Sequence, residues 1–422
     1  MPEPLDCQRA AFRLPRRTAY LNCAYAAPFM RSVEAAGIAA IRRRRDPSGI
    51  VAPDYFAGAE RARAGFARLI GLADPARVAI VSSVSYGMAI AARNLPVGRG
   101  QNIVVAGGQF PSNVYAWQKR CRAKGAEFRM VEPPPAGNGR GARWNERLLE
   151  AIDGDTAVVA LGTVDWSDGT IFDLEAIGDR ARAVNAAYVL DGIQSVGALP
   201  FDVERVRPDL LVCSAYKWLC GPIGVGVAYL GPSFDEGEPL EETWLGRRGS
   251  EDFRTLTAYT DAYQCGARRY DMGGRAQLEL LPMLNTALEQ LAEWTPERIQ
   301  AYCARLRAQL LPELERAGFG VDDAAGRCAH LFALRCVAGT AAADVQQALR
   351  ARRVHVSARG EGVRISLHVY NDEEDLDRLV KALAALRIRG ASQRLLRAPP
   401  RDSLCSESPV STPGAAPRSE GA

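Results

Sequence analysis

The sequence predicts an α/β fold: a mostly parallel sheet covered by helices, followed by a smaller α+β C-terminal domain. Three observations predict it. Between about residues 30 and 265, short apolar runs alternate with helical patterns, as in sheets buried on both faces and linked by crossover helices. From about 300 to 390 the order changes to helix, strand, helix, strands, helix. A chain of 422 residues is also long enough for more than one domain.

In chain order, residues 1–20 form an N-terminal arm leading into the extended segment Tyr20-Leu21-Asn22. The expected strands are Val78–Val81, Ile103–Val105, Ala157–Leu161, Tyr188–Leu190 and Leu210–Cys213, each short, apolar and bounded by turn or charged residues. Gly224–Leu230 differs, with Val225, Val227 and Tyr229 alternating with small residues, and reads as a further strand. The large domain spans 21–275. The leucine-rich stretch Gln277–Ala292 reads as a helix joining it to the small domain, 276–390. The last helix has Asn371 as cap and Glu374 as capping-box partner, with Leu376, Leu379, Val380, Leu383 and Leu386 on one face. Residues 391–422, rich in Pro, Ser, Gly and Ala, are expected to be disordered because they offer little apolar surface to bury.

Composition narrows the function. Hydrophobic content of 47% and charged content of 24% are those of an ordinary soluble protein. A net charge of +4 does not call for a nucleic-acid partner, and Arg42-Arg43-Arg44-Arg45 reads as a solvated helix end. No stretch is long and apolar enough to span a bilayer. The N-terminus lacks a signal-type apolar core, so the expected location is cytoplasmic. The ten cysteines include no CxxC pair and are expected as free thiols. With three histidines, no metal site is expected.

The stretch from Ala186 to Leu230 carries the chemistry. Asp191 ends one apolar run and Lys217 lies just past the end of the next. In open α/β sheets, ligands sit outside the carboxyl ends of such strands. The pair therefore brings an acid and an amine to one crevice. A buried lysine can lose its proton and attack a carbonyl carbon. A carboxylate facing a pyridine nitrogen keeps that nitrogen protonated, making the ring an electron sink. This is the minimum apparatus for pyridoxal 5'-phosphate (PLP) chemistry. A phosphate would suit Ser82-Ser83-Val84-Ser85-Tyr86-Gly87, between Val78–Val81 and the helical run Met88–Arg93, where hydroxyls and a helix N-terminus coincide. In Val363-Arg364-Ile365-Ser366-Leu367-His368, alternation puts Arg364 on the face opposite Val363, Ile365 and Leu367. An arginine so placed can clamp a carboxylate.

Three segments together, DGIQSVGALPFDV (191–203), CSAYKWLCGPIGVG (213–226) and VRISLHVYN (363–371), resemble the class V aminotransferases, a branch of the fold-type-I PLP enzymes. The resemblance covers about residues 18–388 and is nearest to isopenicillin-N-epimerase-like and kynureninase-like members of the cysteine desulfurase superfamily. It implies a mostly parallel seven-stranded sheet, a PLP cofactor and a homodimer. Lys217 is then the Schiff-base lysine, Asp191 the partner of the pyridine nitrogen and Gln194 that of the phenolic oxygen. Ser85, the backbone of Tyr86, Ser214 and Tyr216 reach the phosphate. Phe110, in Phe110-Pro111-Ser112-Asn113, stacks on the ring. Asp168 lies near the cofactor oxygen and substrate, and Arg364 holds the substrate α-carboxylate. Tyr270-Asp271-Met272-Gly273-Gly274-Arg275 matches the loop that completes the phosphate site of a second subunit. Tyrosine at 86 departs from the usual small hydroxyl residue.

The resemblance implies an amino-acid substrate altered at its α-carbon, by transamination or epimerisation. The alternatives are a PLP-dependent carbon–sulfur or carbon–carbon lyase, or a non-catalytic binding protein that keeps the fold. A cysteine desulfurase is not expected, because 354–364 contains no cysteine shortly before Arg364 to carry sulfur. A dinucleotide site is disfavoured because Gly221, Gly224 and Gly226 lead into a strand rather than a helix.

Overall fold

The computed structural model describes residues 3–321, 326–336 and 340–396. The segment Ala19–Tyr20 is a short strand, β1. The main sheet is built from β2 (Val78–Val81), β3 (Asn102–Ala106), β4 (Glu127–Val131), β5 (Thr156–Gly162), β6 (Ala187–Asp191), β7 (Leu210–Ser214) and β8 (Gly226–Leu230). Their order across the seven-stranded sheet is β2-β8-β7-β6-β5-β3-β4. The pairs among β4, β3, β5, β6 and β7 are parallel, whereas β8 runs antiparallel to both β7 and β2.

The expected strands are all present, each within a residue or two of its expected bounds. The edge strand β4 was not expected. Its mixed sequence Glu-Phe-Arg-Met-Val is largely open to solvent, so it lacks the continuous apolar run of a central strand. Successive residues of the inner strands enter opposite cores: Val104, Val159, Tyr188, Leu190 and Leu211 on one face, Ile103, Val105, Val158, Val189 and Val212 on the other. Helices Val84–Asn94 and Tyr115–Lys124 pack on the second face.

One close approach fixes the helix after β2. A Cβ on Gly87 would lie 2.7 Å from a Val212 methyl. Glycine thus lets the first turn of Val84–Asn94 settle directly on β7, the strand that leads to Lys217.

The C-terminal part of the chain holds β9 (Gly320–Val321), β10 (Leu331–Arg335), β11 (Val354–His355), β12 (Ser357–Arg359) and β13 (Gly362–Ser366). Four of these form an antiparallel sheet in the order β12-β13-β10-β9. The N-terminal arm is stitched into this part. β1 pairs in parallel with β11, and the Ser366 N–H donates to the Leu21 carbonyl at 3.0 Å. Arg9 forms a buried ion pair with Asp375 at 2.8 Å. These contacts join residues more than 300 apart in sequence, so no local pattern announces them.

The linking helix runs Leu280–Trp294, followed by Pro296–Arg316. The last helix spans Glu373–Leu396 and so continues past residue 390. Asp372, not Asn371, caps it: Asp372 Oδ1 accepts the Asp375 N–H at 3.1 Å. The Asn371 side chain instead accepts the His368 N–H and donates to Tyr20 O and Asp375 Oδ2. Glu374 pairs with Arg378 rather than closing a capping box. The rest of the expected tail, 397–422, lies outside the described residues. The arginine run ends the helix Arg31–Arg43, where Arg43 and Arg44 pair with Asp54 and Glu279. Among the described residues, no helix is long and apolar enough to cross a membrane.

Candidate active site

β6 and β7 are neighbours, with Asp191 in register with Val212. Their carboxyl ends therefore deliver Asp191 and, one turn further on, Lys217 to the same side of the sheet. Both are buried, 5% and 7% exposed, and both line one pocket with Gln109, Phe110, Asp165, Trp166 and Gln194.

Burial sets the ionisation of both groups. It pushes the Lys217 ammonium down to about 8; the Asp191 charge opposes this, while Arg364 and Arg359 reinforce it. Burial pushes the Asp191 carboxyl up to about 6, against a hydrogen bond from the Ile193 N–H to Oδ1 at 3.0 Å and the Lys217 charge. Desolvation wins on both sides because the two groups feel each other without forming a direct ion pair.

Phe110 follows β3 and Trp166 follows β5, and the two rings meet edge to face at 5.5 Å. The Lys217 ammonium lies 5.6 Å from the Phe110 ring centre and 5.6 Å from that of Tyr216. Phe110 is 42% exposed, so an aromatic face is open beside the amine. Gln109 ties the two loops together, donating to Ala160 O and accepting from the Gly162 N–H.

The loop carrying Lys217 is braced from behind. Trp218 donates to Gln194 Oε1 at 3.0 Å, and its ring packs against His330 and His368. Burial lowers these imidazoles to about 4 and about 3, so both pack as neutral rings. The Gln194 side chain lines the pocket but also donates to Ala24 O at 3.3 Å.

The hydroxyl groups gather at a different edge. Ser83 caps the helix Val84–Asn94 by accepting the Tyr86 N–H. The Val84 N–H donates to Ser214 Oγ at 3.2 Å, joining this helix start to the end of β7. Ser85 Oγ donates to Ser112 Oγ at 2.9 Å. Ser85, Ser112 and Ser214 thus meet at the N-terminus of an eleven-residue helix, and Ser214 is followed two residues on by Tyr216, whose ring lies beside Lys217. The Tyr86 N–H is taken by the Ser83 cap, so the expected backbone donor is already engaged. Burial and the nearby Glu241 hold the Tyr86 phenol above its ordinary range.

Asp168 does not line the pocket. It is held by Arg140 and Arg327, and its Oδ1 accepts from Thr170. The second acid that lines the pocket, beside Asp191, is Asp165, unflagged by the sequence, whose carboxyl is raised to about 6 by burial and the adjacent Asp168 charge. Gly169, at φ +79°, turns the chain immediately after Asp168. A Cβ there would collide with the Leu331 carbonyl, so this loop packs against β10 only with glycine. The signal for Asp165 is its place just past the carboxyl end of β5, the logic that finds Asp191 at the carboxyl end of β6.

Arg364 lies on β13, 1% exposed. Its Nη1 donates to Trp166 O at 2.8 Å, while Nε is buried without an acceptor. Among the described residues it has no carboxylate within ion-pair range, though the Asp165 charge reaches it. Burial and the neighbouring Arg359 lower its guanidinium to about 9. An anion would remove that penalty.

The donor set fits PLP: a buried amine that loses its proton far more readily than an ordinary lysine, a buried carboxyl group across from it, an open aromatic face, and hydroxyls around a helix start. Comparison with known proteins agrees. The family model described as Aminotransferase class-V matches residues 52–379. The chain is 27% identical over 337 residues to the isopenicillin N epimerase of Streptomyces clavuligerus, covering 77% of this chain and 84% of that one. It is 25% identical over 310 residues to a cysteine desulfurase of Haloferax volcanii, covering 69% of each. In three dimensions it resembles the apo cysteine desulfurase of Thermococcus onnurineus NA1, with a TM-score of 0.79 at 20% identity, covering 90% of this chain and 97% of that one. The shared architecture is fold type I of the PLP-dependent enzymes.

Proposed function

The chain belongs to the class V aminotransferase family, whose cofactor is PLP, and we propose that it carries that cofactor on Lys217 and acts at the α-carbon of an amino acid by transamination or epimerisation. The observation that carries this reading is one pocket holding Lys217 and Asp191, with Arg364, whose Nε has no acceptor, donating to the carbonyl of the pocket residue Trp166. When bound, PLP supplies an electron sink that acidifies the bonds to the substrate Cα.

The chain's own residues do the rest. At pH 7 about a tenth of Lys217 is neutral, against a few in ten thousand for an ordinary lysine. The amine is thus available both as a nucleophile and as the base that takes a proton from Cα. Ile193 occupies Asp191 Oδ1 and leaves Oδ2 to hold the proton of a ring nitrogen. Phe110 covers one face of the ring. Ser85, Ser112, Ser214 and Tyr216 hold the phosphate at the helix start. Arg364 would grip the substrate α-carboxylate and so orient the α-carbon toward Lys217.

Sulfur transfer is not part of this proposal. β12 and β13 form a tight hairpin, with Arg359 opposite Gly362 and no cysteine in the turn. Cys336 follows β10 and its thiol is raised by burial, whereas a sulfur carrier works as thiolate.

The test is α-proton exchange. In D₂O, the enzyme should place deuterium at Cα of its amino-acid substrates, and Lys217→Met should abolish this. A screen of amino acids giving neither exchange, nor a keto acid, nor inversion would refute the proposal.

A further inference from the structure

Arg359 is a second guanidinium at this site for which the roles above have no use. In the β12–β13 hairpin, Ser357 faces Arg364 and Arg359 faces Gly362. Facing residues and residues two apart share one side of a sheet. Arg359 and Arg364 therefore leave the same side of the hairpin on a diagonal. Both converge on Trp166: their guanidinium carbons lie 5.4 and 5.9 Å from its ring centre, and Trp166 lines the Lys217 pocket.

Neither arginine is neutralised. Arg359 Nη1 donates to its neighbour's carbonyl, Ala358 O, at 2.7 Å, and its Nε is buried without an acceptor. Among the described residues no carboxylate lies within ion-pair range of it, and the one charge that opposes its burial is that of the Tyr25 phenol. Lys217 feels both arginines. Lys217 in the pocket and the two arginines over Trp166 at its edge are thus three cations against two buried carboxyls, Asp191 and Asp165. A half-buried, unpaired guanidinium is costly unless a ligand completes it. A single α-carboxylate completes Arg364 and leaves Arg359 open.

We propose that the substrate carries a second carboxylate, on its side chain, and that Arg359 binds it. The substrate class is then the acidic α-amino acids, or larger molecules ending in one. This rests on Arg364 as the α-carboxylate clamp and adds a specificity residue to it.

The experiment is calorimetric titration of the PLP-loaded enzyme with aspartate, glutamate and 2-aminoadipate, each against its side-chain amide, at low salt. A charge-assisted contact predicts that at least one acid binds about tenfold or more tightly than its amide. Arg359→Gln should bring that ratio close to one, and Arg359→Lys should keep part of it. Equal binding of every acid and its amide overturns the proposal, as does a preference that survives in Arg359→Gln. If amino acids bind through Arg364 without that preference, only Arg359 loses its role. If none binds, the reading of Arg364 fails and takes this inference with it.

Discussion

Replacing Lys217 by Met should stabilise the cofactor-free protein at neutral pH. An ordinary lysine ionises at 10.5, and burial brings Lys217 down to about 8. At 1.36 kcal/mol per pH unit, the charged form costs the fold about 3 kcal/mol. Because the folded value lies below the unfolded one, this contribution to stability is intact above pH 10.5 and is lost as the pH falls through 8. At pH 7 the full cost is in place. Methionine fills a similar volume without charge. It also removes the cation that steadies Asp191, which takes back part of the gain. The expected net gain at pH 7 is therefore about 2 kcal/mol, shrinking steadily from pH 8 towards 10.5. Urea unfolding of the cofactor-free wild type and variant at pH 7, 8.5 and 9.5, with equal slopes, measures it. A variant no more stable at pH 7, or a gain that does not shrink with pH, would refute the idea that burial primes this amine.

Three further outcomes follow from the same residues. Arg364→Gln should weaken amino-acid binding about 30-fold or more with the cofactor retained, whereas unchanged affinity would make Arg364 purely structural. Light scattering at micromolar concentration should give a dimer mass, since Trp244 and Phe253, packed against Tyr55, and Leu256 and Tyr259, which follow Phe253 in sequence, leave apolar surface exposed; a fully active monomer would overturn this. L-Cysteine under reducing conditions should yield no sustained sulfide and alanine, and turnover abolished by Cys336→Ser or Cys265→Ser would reverse that expectation.

The parts of the fold legible in the sequence were those with a local signature. β5, β6 and β7 are buried on both faces, so their apolar runs stand out. β4 is an edge strand with one side in water, and its mixed sequence hid it. The direction of β8 and the pairing of β1 with β11 are decided by partners distant in sequence. The site divides along the same line. Asp191, Lys217 and Arg364 follow from strand ends and alternation. The choice between Asp165 and Asp168 depends on a left-handed turn at Gly169 and on Arg140 and Arg327 claiming the latter. Arg359 gains meaning only once the hairpin register places it beside Arg364.

The central claim is that Lys217 is the residue that holds PLP. Borohydride reduction of the purified enzyme, followed by proteolysis and mass spectrometry of the peptides, tests it directly. The account predicts bleaching of a visible absorption band and a phosphopyridoxyl group on the peptide containing Ser214-Ala215-Tyr216-Lys217-Trp218, and nowhere else in the chain. A modified lysine at 119, 124 or 381, or no modified lysine in protein saturated with PLP, would contradict it.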